Sequence, residues 1–143
     1  MAYSVYTDVA SEFKGISFSA SSSVTDTEVT SFIAQADALI DSYISNRYST
    51  PVTAAAGAIS LLQWISIQIV RERIVKILAV KTGVEAPDQL EPEKPMWQTM
   101  LENISKGVLD LAGATLISSG DGVKMYNYDN DIEPTFDVTT NQW

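Results

Sequence analysis

The run Gly57–Gly83, GAISLLQWISIQIVRERIVKILAVKTG, decides how the rest of the chain must be arranged. It is the most apolar stretch of the sequence and contains no proline. Ile67, Val70, Ile74, Ile77 and Leu78 recur at the spacing of one helical face, while Leu61, Trp64 and Ile65 fall on roughly the opposite side. Arg71, Glu72, Arg73 and Lys76 interrupt the apolar cover only in the second half. The run therefore predicts one long spine helix, apolar nearly all round at first and one-sided later. Such a helix must be covered on several sides. Its neighbours in the same chain can do this, or a second copy can cover one flank, and the two arrangements are compatible. The uncharged part, residues 58–70, is shorter than the ~20 residues of a membrane span and contains Ser60, Gln63, Ser66 and Gln68. No basic segment followed by a hydrophobic run marks a signal peptide. The expectation is a soluble intracellular protein without a membrane partner.

Outward from the spine, Thr25-Asp26-Thr27-Glu28 has the form of a capping box. Val29, Phe32, Ile33, Ala36, Ile40, Tyr43 and Ile44 continue it as an apolar stripe, so a helix is expected over about 26–48. Pro51 then breaks the chain, since proline cannot continue a helix and pushes Thr50 out of the helical region. The spine should span about 57–82 and end at Gly83, with Lys81 in the last turn. Residues 84–95, VEAPDQLEPEKP, read as a surface loop, and Pro95 opens a third helix over about 95–106. Met96, Trp97, Met100, Leu101 and Ile104 form its stripe, and Lys106-Gly107 closes it.

The ends are different in kind. Residues 1–24 are serine-rich with apolar beads at Tyr3, Val5, Phe13, Ile16 and Phe18, which reads as an arm, with room for a short helix near Thr7–Phe13 capped by Thr7 or Asp8. Thr115–Ile117 and Val123–Tyr126 flank the turn Ser119-Gly120-Asp121-Gly122 and suggest a β-hairpin. From Asp129 onward the chain is acidic and without helical period; it reads either as a solvated tail or as an arm that orders on a partner. In the second reading Tyr126, Tyr128, Ile132, Phe136, Val138 and Trp143 are the docking anchors. The expectation is thus a mainly α protein: an arm (1–24), a bundle of three main helices (25–112), and a hairpin with an extended C-terminal arm (113–143).

Composition narrows the function. The chain has no histidine and no cysteine, which removes the commonest general base, the usual zinc ligands and the Ser-His and Cys-His nucleophile pairs. The formal net charge is −9. Residues 1–83 are nearly balanced, and residues 84–143, with three basic and eleven acidic side chains, carry almost all the excess. Gripping DNA through its phosphates needs a basic patch, and the sequence has none. Asp37 and Asp41, four apart on one helix, share a face; a solvated polar surface explains them more simply than a catalytic or metal pair. Asp129-Asn130-Asp131-Ile132-Glu133 alternates oxygen ligands but lacks the glycine and distal glutamate of a calcium loop. Trp64 and Trp97 read as core, and the Arg71–Lys76 charges as a solvated or subunit-facing patch. No catalytic, cofactor or metal site is expected; the protein is read as not an enzyme. Leu61, Trp64, Ile65, Arg71 and Arg73 are the candidate subunit-interface residues.

Two patterns carry a resemblance. One is A-x-x-x-I-D-x-Y-I-x-x-R-Y-x-x-P over Ala36–Pro51; the other is I-x-K-G-x-x-x-L over Ile104–Leu111. With the R-E-R step of the spine between them, residues 25–112 resemble the head-to-tail connector, or adaptor, proteins of tailed bacteriophages. The arm and tail extend beyond the compact pattern of that family. The resemblance implies a homo-oligomeric ring, usually of twelve subunits, in the virion neck. The ring would bind the portal above and the next neck or tail protein, a stopper or tail terminator, below. Genome DNA would pass through it without sequence-specific binding, and the extended termini would clamp the portal. The competing expectation is a small helical interaction or regulatory module unrelated to virions.

Overall fold

A computed structural model describes residues 2–83 and 94–117. It is mainly helical, with four helices in chain order: α1 (Tyr6–Glu12), α2 (Asp26–Ile44), α3 (Ala56–Thr82) and α4 (Met96–Lys106). There is no β-sheet among the described residues; one antiparallel bridge joins Tyr48 to Leu116. The loop 84–93, the second half of the expected hairpin, the Asp129–Glu133 run and the anchors Tyr126, Tyr128, Ile132, Phe136, Val138 and Trp143 lie outside the described residues.

Helix α2 begins as its sequence dictates. Thr25 Oγ1 accepts the Glu28 N–H at 3.2 Å and Glu28 Oε2 accepts the Thr25 N–H at 2.8 Å, so two orphan donors are satisfied reciprocally. The Thr25 N–H, and the Thr25 hydroxyl that donates to the same Oε2 at 3.0 Å, hold the Glu28 carboxyl below its ordinary range. The helix stops at Ile44, four residues short of the expected end. The N–H groups of Arg47 and Tyr48 both turn back to the Ile44 carbonyl, and the chain leaves the helix to pair Arg47–Ser49 with Thr115–Ile117. The Ser49 N–H donates to Thr115 O at 2.9 Å and the Ile117 N–H to Arg47 O at 2.8 Å. Helical periodicity cannot register this, because the partner strand is more than sixty residues away.

Helices α2 and α3 form the central pair, and their contact runs as two joined cores. Ile40 and Ile44 of α2 meet Ala58, Leu62 and Ile65 of α3, closed by Leu101 and Ile104 of α4 and by Tyr3, Tyr48, Val52 and Leu111. Toward the other end, Val29, Ile33 and Ala36 meet Val70 and Ile74, closed by Val9 of α1, Phe18 and Val24. The serine-rich stretch is loop, as its composition predicts, yet it carries a core side chain: Phe18 is buried, edge-on to Phe13 with ring centroids 5.5 Å apart. Residues 2–24 are therefore packed on the bundle. Asp8 is not the cap of α1; it lies one turn in, where its Oδ2 accepts the Val5 N–H at 2.9 Å and the Gln63 side-chain amide at 3.0 Å, tying α1 to α3.

Helix α4 ends at Gly107, whose φ of 78° is the left-handed conformation that terminates a helix. A Cβ there would stand 3.0 Å from the Arg47 guanidinium carbon. Arg47 Nη1 donates to the Ile104 carbonyl at 3.0 Å, placing a cation on the negative end of α4. Its Nη2 meets Asp110 at 3.0 Å, and Tyr48 OH accepts the Leu111 N–H at 3.0 Å. The two sequence patterns are thus one structural joint: the Arg-Tyr of the first clamps the Ile-x-Lys-Gly-x-x-x-Leu of the second. Asp110 is largely exposed, so the ion pair itself adds little. Arg47→Ala should cost up to about 2 kcal/mol, from the helix-end charge and its half-buried carbonyl bond. Urea unfolding measures it; an unchanged midpoint would remove Arg47 from this role.

Candidate interaction surface

The spine helix has one face that the other described helices leave uncovered. Gln63 reaches α1 through Asp8, whereas Glu72 accepts the Trp97 indole N–H at 2.6 Å from α4. These two positions are separated by two and a half turns at about 3.6 residues per turn, so α1 and α4 lie on opposite sides of α3. Helix α2 covers a third side, where Arg73 lies 4.4 Å over the Phe32 ring and donates to Gln35. What remains is the stripe Trp64, Gln68, Arg71 and Val75, spaced along a single face.

Beside this stripe, the start of α4 closes a groove of about 380 Å³, with Trp64, Arg71 and Val75 on one wall and Met96 and Trp97 on the other. Trp64 is 37% exposed and Met96 64%. At the groove floor Glu72 is fully engaged, taking the Trp97 indole on one oxygen and Lys76 Nζ on the other at 2.7 Å. Arg71 makes no hydrogen bond or ion pair among the described residues, so its guanidinium is available to an outside acceptor.

On the side that α1 covers there is a different surface. Residues 2–6 run beside α2 and leave a depression of about 540 Å³ above the exposed Ala34 and Ala38. Asp37 and Asp41 stand in its wall. Asp37 is buried, contrary to the solvated face expected of it, because the N-terminal segment covers it. Its Oδ2 accepts the Tyr3 N–H at 3.2 Å and its Oδ1 accepts Ser66 Oγ–H at 2.9 Å. With that proton committed, Ser66 accepts from Ser4 across 2.8 Å. Desolvation raises the Asp37 carboxyl above its ordinary range, against the pull of these hydrogen bonds. Tyr3 OH donates to Asp41 and accepts the Val52 N–H at 3.1 Å. Burial, then the Asp41 bond, pushes the phenol far above its ordinary value, so it stays protonated. The polar residues of an apolar spine were the available signal for this node: Ser66 faces the core and needed a partner.

The residues expected at a subunit interface divide on these facts. Ile65 is fully buried in the first core and belongs to the monomer's own packing. Leu61 is half-buried against the same core. Trp64 and Arg71 line the open groove, and Arg73 is taken up by α2. Trp64 is not the core residue its type suggested, since it points between α3's covered sides. Val75, Met96 and Glu72 also line the groove; they were not among the expected interface residues, because the pairing of α3 with α4 is tertiary. No group of three or more acidic, histidine or cysteine side chains that could hold a metal occurs among the described residues. No described helix is long and apolar enough to cross a membrane.

A profile of the family described as Bacteriophage Mu, Gp36 matches residues 7–125, which takes in α2, α3 and α4, α1 after its first residue, and both halves of the Arg47–Leu111 joint. The chain belongs to the bacteriophage Mu Gp36 family. It is therefore a bacteriophage protein. Neither the curated proteins nor the solved structures contain a match to it. The family covers the α3–α4 groove and the depression beside α2 alike, since every residue lining them apart from the first few of the chain falls within the matched span.

Proposed function

We propose that this phage protein is a structural component of the virion, a head-to-tail adaptor that forms a ring, of about twelve subunits by the resemblance, beneath the portal. It joins the capsid vertex to the next neck or tail protein and surrounds the channel through which the genome passes. It works by binding and not by catalysis. The observation that carries this reading is the phage family match over a chain whose two adaptor-like patterns meet in one tertiary joint. The acidic balance supports it as well: a conduit must release DNA, and a net charge of −9 disfavours phosphate contacts. The exposed Trp64–Trp97 groove is the kind of aromatic, arginine-edged surface that protein contacts use.

The portal contact is assigned to the C-terminal segment, with Ile132, Phe136, Val138 and Trp143 as its anchors. Deleting residues 129–143 should leave the helical circular dichroism of the chain intact and abolish its retention on portal-bearing heads in sedimentation. Retention equal to the full chain would refute this assignment.

A further inference from the structure

We propose that the α3–α4 groove of one subunit receives the α2 side of a second copy of this chain, with Arg71 entering the depression walled by Asp37 and Asp41. The inference rests on the ring reading above and names the surfaces that would build it.

A ring of identical subunits needs a heterologous contact, in which two different patches of the same chain complement each other. The two depressions of this molecule differ in the required sense. One is aromatic and carries Arg71, a cation without a partner among the described residues. The other is acidic and lined by small side chains: Ala34 and Ala38 leave open space beside Asp41, whose second carboxylate oxygen has no partner among the described residues. Arginine suits such a site, because its planar fork engages a carboxylate with two donors and its stem packs on apolar walls. The neighbouring cations do not compete for the role, since Arg73 is held by Phe32 and Gln35 and Lys76 by Glu72. The patches also point away from each other. The groove is on the α4 side of α3 and the acidic depression is on the α1 side, so one subunit can serve two neighbours at once. A two-fold contact made groove to groove would instead bring Arg71 toward its own copy.

The native chain has no cysteine, so engineered thiols report contacts cleanly. Gln68→Cys and Ala38→Cys are placed together in the full-length chain and treated with a short bismaleimide, both in solution and in assembled particles. The double variant should give a ladder of covalent dimers, trimers and higher multimers on a denaturing gel, and each single variant should give none. Arg71→Glu should abolish the ladder while leaving the helical spectrum unchanged, and Arg71→Glu combined with Asp41→Arg should restore it. Cross-linking of the Gln68→Cys single variant would overturn the heterologous pairing in favour of a two-fold one. An oligomer that yields no ladder would overturn this interface and leave the ring standing. A chain monomeric in solution and absent from particles would overturn both.

Discussion

Ile65→Ala is expected to destabilise the chain by roughly 2–5 kcal/mol, the range for a large-to-alanine change in a closed core. Ile65 is fully buried between Ile40 and Ile44 of α2 and Leu101 of α4, so the lost methyl groups leave a cavity where three helices meet. Trp64→Ala, one residue earlier, should have a much smaller effect on the monomer. Trp64 is more than a third exposed, and its truncation widens an open groove instead of emptying a core. The pair therefore separates folding from association at adjacent positions. Ile65→Ala should move the urea midpoint sharply, whereas Trp64→Ala should chiefly weaken oligomerisation. Equal effects on stability would mean that the α3–α4 contact is not arranged as described.

The second large effect is expected at Asp37. Asp37→Ala removes the acceptor from two buried donors, Ser66 Oγ–H and the Tyr3 N–H, at about 1–3 kcal/mol for each donor left stranded. The loss should also free the first residues of the chain, which limited proteolysis would read as early cleavage near Tyr6. The wild-type carboxylate carries a pH dependence of definite sign. Its folded pKa is raised, chiefly by burial, so the folded state binds the proton more tightly than an unfolded chain that titrates near 4. The contribution of Asp37 is present in full below that value and declines as pH rises through the folded pKa. Glu28 and Glu102 act oppositely, because hydrogen bonds from Thr25 and from Lys94 lower their values. Their contributions hold above the ordinary carboxylate range and fade as pH falls through the lowered pKa. Asp37→Asn cannot titrate; it keeps one acceptor oxygen for the Tyr3 N–H, and its amide NH2 can donate to Ser66 Oγ, which then donates to Ser4. The stability of wild type relative to Asp37→Asn should accordingly fall as pH rises from about 4 through the raised folded pKa. A constant difference across that interval would show that Asp37 is not perturbed.

The charge at Asp37 also marks where periodicity misleads. On α2 it falls beside the apolar stripe, at the border between the face that meets α3 and the face that meets water. Helical spacing alone assigns such a border residue to solvent. Here the N-terminal segment folds across it, and Tyr3 brings both a backbone donor and a hydroxyl to the pair Asp37 and Asp41. Trp64 shows the converse. Its size argues for burial, but it lies on the side of α3 that none of the other described helices covers.

The amino-acid order by itself determined the helices of this protein and most of their ends. Thr25 and Glu28 start α2, Gly83 stops α3 and Gly107 stops α4, each through bonds or backbone angles confined to neighbouring residues. Interactions of that range are written in consecutive positions, so they can be read there. The tertiary structure alone decided that Arg47 and Tyr48 would leave α2 to clamp α4, and that Ser66 and Asp37 would share a buried bond. It also set Trp64, Arg71 and Trp97 around a common groove. Those choices depend on which helix sides meet, and a repeat of 3.6 residues specifies an apolar face without naming the element that covers it.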